Sequence, residues 1–305
     1  MPVMIKASPR LSDPVLLAIG GHDPGGGAGL QADIETAAAL GLHCCSAVTA
    51  ITVQTSCRLT QLVAQPAEQL RDQCLAVFED YQVAAVKIGL IGHSHLVQTI
   101  AALLKTHPNL PVVFDPVLAS GSGERIADAA LLNQLRRHLL RRCTLITPNL
   151  PEARLLADAP GRDQAARRLL NLGAKAVLIT GTHDSSDQVI NTFYPGDGAL
   201  SQWEWPRLTG SFHGSGCTLA SAIAARLALG QELKSAVAEA QAYVMDTLRQ
   251  ARALARCQLI PRRLPPPASE PEPEQSTEQA KTQPHALRTL VAPTATKPDN
   301  ERQPD

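Results

Sequence analysis

Apolar residues in this chain fall into short runs separated by longer stretches with helical spacing. "VLLAIG" (15–20), "SAVTAITVQ" (46–54), "VAAVKIGL" (83–90), "PVVFDPV" (111–117), "CTLITP" (143–148) and "AKAVLIT" (174–180) have the length and content of buried strands. Between them, residues 28–41, 93–106, 128–142 and 161–173 read as helices, the first stopped by Gly41. The segment 232–255 carries apolar residues at 233, 236, 237, 240, 244, 248, 251 and 254, which is one buried helical stripe. Residues 189–205 read as a hairpin turning at Pro195-Gly196-Asp197-Gly198. The alternation predicts an α/β fold, a three-layer α/β/α sandwich around a mostly parallel central sheet. The β excursions at 46–55 and 189–205 are candidates for a lid or a dimer contact.

This pattern occupies residues 14–264, read as one catalytic-sized domain after an N-terminal extension, 1–13. Residues 265–305 hold nine of the chain's 23 prolines and no aromatic residue. Such a segment buries too little apolar surface to offset its ordering entropy and reads as a disordered tail.

Composition narrows the function classes. The 305 residues are 44% apolar and carry no net charge, and only 3% are aromatic. A neutral chain with so few stacking residues argues against nucleic acid as a partner. "VLLAIGG" is too short for a signal sequence or a membrane span. The seven cysteines contain no C-x-x-C pair, which argues against zinc and against a disulfide framework. A reducing, cytoplasmic setting follows as the expectation.

Candidate chemistry sits where apolar runs end in glycine loops, the place where open α/β sheets bind ligands. "GGHDPGGGAGLQAD" (20–33) has five glycines between 21 and 29, and no P-loop motif is present. Asp33 and Gln54 offer a carboxylate and an amide able to read a polar heteroaromatic ring, while Asp33 alone also suits the first turns of a helix. Asp115 ends a buried run before another glycine loop and serves either metal or phosphate, or caps the loop. In "TPNLPEARLL", Asn149 and Glu152 form a capping box around Pro151, or hold Mg²⁺ through waters. "GSFHGSGCTLASAIAARLALG" (210–230) runs from glycines into a helix, so amides at 214–217 would face an anion. A thiol at that helix start, Cys217, would have a lowered pKa and take a proton from an attacking hydroxyl, or else be a small buried hydrophobe. His213 shuttles a proton or orients phosphate, or, the favoured reading, is a loop histidine without a chemical role.

Taken together, "GGHDPGGGAGLQADIET", "ITVQT", "VKIGLIG", "DPVLASGSGE", "ITPNLPEARLL", "LITGTHD" and "GSFHGSGCTLASAIA" stand in an order that resembles the hydroxymethylpyrimidine/phosphomethylpyrimidine kinases of thiamine biosynthesis, within the ribokinase-like superfamily. The resemblance covers residues 14–264. It implies ATP-dependent phosphorylation of 4-amino-5-hydroxymethyl-2-methylpyrimidine and then of its monophosphate, with ATP as co-substrate, Mg²⁺, and a homodimer. It implies that Asp33 and Gln54 bind the pyrimidine and that Gly21, Ala28 and Val117 line its pocket. Asn149 and Glu152 match a magnesium and phosphate motif. Gly214, Ser215 and Gly216 match an anion hole, and Cys217 matches the catalytic position. Thr180 stands where many members carry a lysine toward ATP. Three rivals remain: a vitamin B6 kinase, a catalytically silent pyrimidine-binding protein and a nicotinamide dehydrogenase.

Overall fold

A computed structural model of the chain describes residues 13–121, 123–182 and 186–265, all within one unit, Met1–Ser269. The expected tail lies outside the described residues apart from Pro265, and so do all but one residue of the N-terminal extension.

Strand β1 (Val15–His22) alternates its side chains between two helical layers, as a strand must. Val15, Leu17 and Ile19 join one core, and Leu16 joins the other. The same alternation recurs in β4 (Val83–Ile88), β5 (Val112–Phe114) and β7 (Ala176–Ile179). On one face lie α2 (Ala67–Asp80), α3 (Ser94–Lys105), α4 (Ala129–Gln134), α5 (Leu150–Ala157) and α6 (Arg162–Asn171). On the other, α1 (Gly29–Ala39), α7 (Ser215–Ala228) and α8 (Leu233–Arg249) pack together.

The sheet is completed by β2 (His43–Gln54), β3 (Leu59–Ala64), β6 (Leu145–Ile146), β8 (Gln188–Pro195) and β9 (Ser201–Pro206), in the order β3-β2-β1-β4-β5-β6-β7-β8-β9. From β2 to β7 neighbours run parallel, and β3, β8 and β9 are antiparallel edges. The three-layer expectation therefore holds. The 189–205 hairpin is not a detached lid: β8 pairs with β7 and extends the central sheet. At the other edge, β2 pairs with β1 and β3 closes the sheet as its antiparallel outer strand.

Two helices end earlier than the apolar pattern suggested. The 128–142 helix stays α-helical only to Gln134, then passes through a wider π turn and a tighter 3-10 turn to Arg142. The last helix stops at Arg249, because Arg252 pairs with Ile260 in an antiparallel bridge and the chain doubles back. That returning strap reaches the site.

Candidate active site

The carboxyl ends of β1, β4, β5, β6 and β7 all open on one edge of the sheet, and α7 begins there. Its N-cap, Gly214, has φ +77, a left-handed conformation that glycine adopts without strain. A Cβ there would lie 2.1 Å from the carbonyl oxygen of Gly27, so the glycine loop after β1 packs directly on the cap. Gly29, with φ +60, makes a comparable approach to Gly21.

Asp23 organises that loop. Its Oδ1 accepts the Gly25 N–H and its Oδ2 the Ala28 N–H, both at 2.9 Å. Oδ2 also lies 2.8 Å from Nε2 of His213, which is therefore tied down rather than idle. Burial pushes the Asp23 carboxyl up, but the bonds from His213, Gly25 and Ala28 outweigh it and hold the group below its ordinary range.

Two cavities flank the start of α7. One, lined by Gly21, Ala28, Gln54, Val117 and Cys217 together with Asp23 and His213, lies under the β2–β3 hairpin. The other is lined by Thr180, Asn191, Trp205, Arg207, Ser215 and Gly216, with β8 and β9 as one wall. In its wall a Gln241 side chain accepts from Asn191 Nδ2 (2.9 Å) and from Trp205 Nε1 (3.0 Å), so these buried polar groups are satisfied. Ser215 and Gly216 thus face one cavity and Cys217 the other.

Asp33 is in neither lining. It is fully buried, with Lys87 Nζ at 2.7 and 2.9 Å from its two oxygens and Ser221 Oγ donating at 2.6 Å. Strand alternation explains the pairing: Lys87 lies on the same side of β4 as Ala85, toward α1 and α7. Asp33 therefore sits one helical turn deeper than Cys217, beneath the site.

Burial pushes the Cys217 thiol up to about 12; Lys87 opposes this, and the charges of Asp115 and Asp33 add to it. The expectation of a lowered thiol pKa is corrected: loss of hydration and two nearby acids outweigh the helix dipole. Asp115 lies close enough to act on the thiol by its charge, and its own carboxyl is raised chiefly by burial.

The capping box on α5 is present: Asn149 Oδ1 accepts the Glu152 N–H at 2.9 Å, and Glu152 Oε2 accepts the Asn149 N–H at 3.0 Å. Glu152 Oε1 also accepts from Leu118 N–H at 3.4 Å. Burial, then the charge of Asp115, push Glu152 up to about 8. Among the described residues no group of three or more His, Cys, Asp or Glu side chains is placed to hold a metal. A carboxylate destabilised by a neighbouring acid fits a cation held through waters, with the cap geometry left intact.

Sequence reasoning missed three features. Lys87 is one; a lone lysine inside an apolar strand run is the signal, since a buried ammonium requires a partner. Arg263 is another. Fully buried, it donates to Thr218 Oγ1 and Glu35 Oε2, both at 2.9 Å, and to the Gly27 carbonyl. The third overturns an expectation: Cys57 and Cys257, 200 residues apart, form a disulfide with Cα atoms 5.2 Å apart. Spacing gives no hint of it, because the fold alone brings the β2–β3 turn against the returning strap. Ser122 and the segment 183–185, parts of two glycine-loop motifs, lie outside the described residues.

A parallel sheet with ligand cavities at its carboxyl edge and a glycine-capped helix between them defines a ribokinase-like α/β phosphotransferase. The phosphomethylpyrimidine kinase family model matches residues 23–259, and the chain belongs to that family. The hydroxymethylpyrimidine/phosphomethylpyrimidine kinase of Mycobacterium tuberculosis is 42% identical over 258 residues, 82% of this chain and 94% of that protein. A crystal structure of phosphomethylpyrimidine kinase from Clostridium difficile superposes with TM-score 0.68 at 31% identity, covering 77% of this chain and 100% of that one. The pyridoxal kinase from Staphylococcus aureus, in complex with AMP-PCP and pyridoxal, gives TM-score 0.74 at 25% identity over 82% of this chain and 93% of that one.

Proposed function

We propose that this chain transfers the γ-phosphoryl group of ATP to the hydroxymethyl group of 4-amino-5-hydroxymethyl-2-methylpyrimidine, and then phosphorylates the monophosphate to the diphosphate for thiamine biosynthesis. The observation that carries this reading is the pair of cavities on either side of Ser215-Gly216-Cys217. A donor phosphate approached from the Ser215–Gly216 side would meet an acceptor hydroxyl from the Cys217 side. Amides at 214–217 carry the positive end of the α7 dipole and suit charge spread over a transferring phosphoryl group.

In this reading, residues 14–264 form the catalytic domain. Gln54, Gly21, Ala28 and Val117 line the pyrimidine pocket. Asp33 supports that pocket from below instead of touching the ring. Thr180 and Asp115 serve the nucleotide phosphates. Mg²⁺, held through waters by Glu152 and Asn149, would supply charge neutralisation at those phosphates. The acceptor's proton passes to Cys217 as the thiol proton moves to Asp115, so no free thiolate has to stand beside ATP. Dependence on ATP supports a cytoplasmic setting even though the Cys57–Cys257 disulfide removes the cysteine argument for one, and the exposed outer residues of β2 and β3, Ile51, Val53 and Val63, suit a homodimer contact.

Incubation with ATP, Mg²⁺ and the pyrimidine alcohol, with mass detection of mono- and diphosphate, tests the reading. Absence of both products under saturating ATP overturns it. The likeness to pyridoxal kinase favours one second reading, phosphorylation of vitamin B6. Pyridoxal in a parallel incubation separates the two by relative kcat/KM.

A further inference from the structure

Lys87 is a fully buried ammonium at 0% exposure, and the proposed reaction does not use it. A buried ammonium is costly unless strongly paired. Here the pairing is bidentate, 2.7 and 2.9 Å to Asp33, and the same carboxylate takes the Ser221 hydroxyl from α7. The fold makes room for it: a Cβ on Gly89 would stand 2.7 Å from Nζ. The ammonium's field also reaches Asp115 and Cys217, and reaches Cys44 behind them.

We infer that Lys87 is a positioning residue for phosphoryl transfer: through Asp33 and Ser221 it ties β4, α1 and α7 together one turn below the start of α7. This rests on the kinase reading for its consequence in turnover. A helix held by three elements just below its start keeps the amides of 214–217 preorganised. Asp33 is then the anchor of the ammonium and not a reader of the pyrimidine.

The test compares Lys87→Met with the double variant Lys87→Met/Asp33→Asn, which removes both charges together. The single variant leaves an unpaired carboxylate and should melt well below the unaltered protein, while the double variant should regain most of that loss. Turnover should stay about 100-fold down in the double variant, with KM for the pyrimidine and for ATP within about threefold of the unaltered protein. Recovery of kcat together with melting temperature would reduce Lys87 to a fold-holding role, and a large rise in pyrimidine KM would make Asp33 a ring reader; either overturns the inference. A second readout does not depend on the reaction. Iodoacetamide alkylation of Cys217 at alkaline pH, mapped by mass, should slow about tenfold in the double variant because the Lys87 charge that favours the thiolate is gone. An unchanged alkylation rate also overturns the inference. If the unaltered protein phosphorylates neither substrate, the kinase reading fails while this readout still decides the role of Lys87. Should neither variant fold, Ser221→Ala loosens the anchor alone: a lower kcat at constant KM supports the inference, and an unchanged kcat overturns it.

Discussion

His213 and Asp23, 190 residues apart in sequence, meet with Nε2 and Oδ2 2.8 Å apart, so the first glycine loop and the helix that faces it are joined by a side-chain bond. Asp23 is the hub, because it also takes two amides of its own loop.

Asp23→Ala strands three donors at once. Hydrogen bonds to a buried charged group are worth roughly 1.5–3 kcal/mol each, so a loss of several kcal/mol is expected, read as a lower urea midpoint at pH 7. The sign with pH follows from the depressed carboxyl. Its stabilisation is present above the ordinary carboxylate value of 3.8 and is lost as pH falls through the lower folded-state value. Acid titration of the Asp23→Asn variant should therefore show a shallower loss of stability in that low-pH window than the unaltered protein does.

Glu152 has the opposite sign. Its folded-state value of about 8 stands above the ordinary 4.5, so the folded protein binds more protons than the unfolded chain between those limits. Stability contributed by this group is full below 4.5 and declines as pH rises through 8. Without nucleotide or magnesium, the melting temperature of Glu152→Gln should vary less with pH across that window. A slope identical to that of the unaltered protein would remove Glu152 from the linkage.

Cys217→Ala should lose turnover by about 10²–10⁴, the range for a positioned proton acceptor, while ATP binding by calorimetry changes little. Cys217→Ser is the sharper control, because it keeps a hydroxyl that can bond Asp115. Near-normal kcat in both would take the side chain out of the reaction.

Reduction of the Cys57–Cys257 bridge frees the turn of the β2–β3 hairpin from the strap. Closing a 200-residue separation restricts the unfolded chain, and such bridges contribute about 2–5 kcal/mol. Differential scanning calorimetry with and without a dithiol should show a lower melting temperature on reduction, absent in Cys57→Ser/Cys257→Ser. Because Gln54 and Leu59 line the cavity under that hairpin, pyrimidine KM should rise in the same samples.

The sequence pattern carried much of the architecture for physical reasons. Period-2 strands and 3.6-period helices report which faces are buried, and Asn149-Leu150-Pro151-Glu152 reports a helix start through local bonds alone. Glycine loops marked the site because close backbone approach, as between Gly214 and Gly27, demands them. Illegible features all depend on long-range pairing. Lys87 looked like a strand interruption until Asp33 and Ser221 were seen around it. Cys217 looked like an activated thiol because the helix dipole is local and its desolvation is not. The α2 and β3 elements escaped notice because each buries little: only Leu70 and Cys74 are buried in α2.

Arg263 sits among the last described residues, yet its guanidinium braces Gly27, Glu35 and Thr218 at the core of the site. A nascent chain still tethered before that point would hold both glycine loops without the brace between them. Competence should therefore arrive as a late event in synthesis, when residue 263 leaves the ribosome, and not gradually as each βα unit emerges.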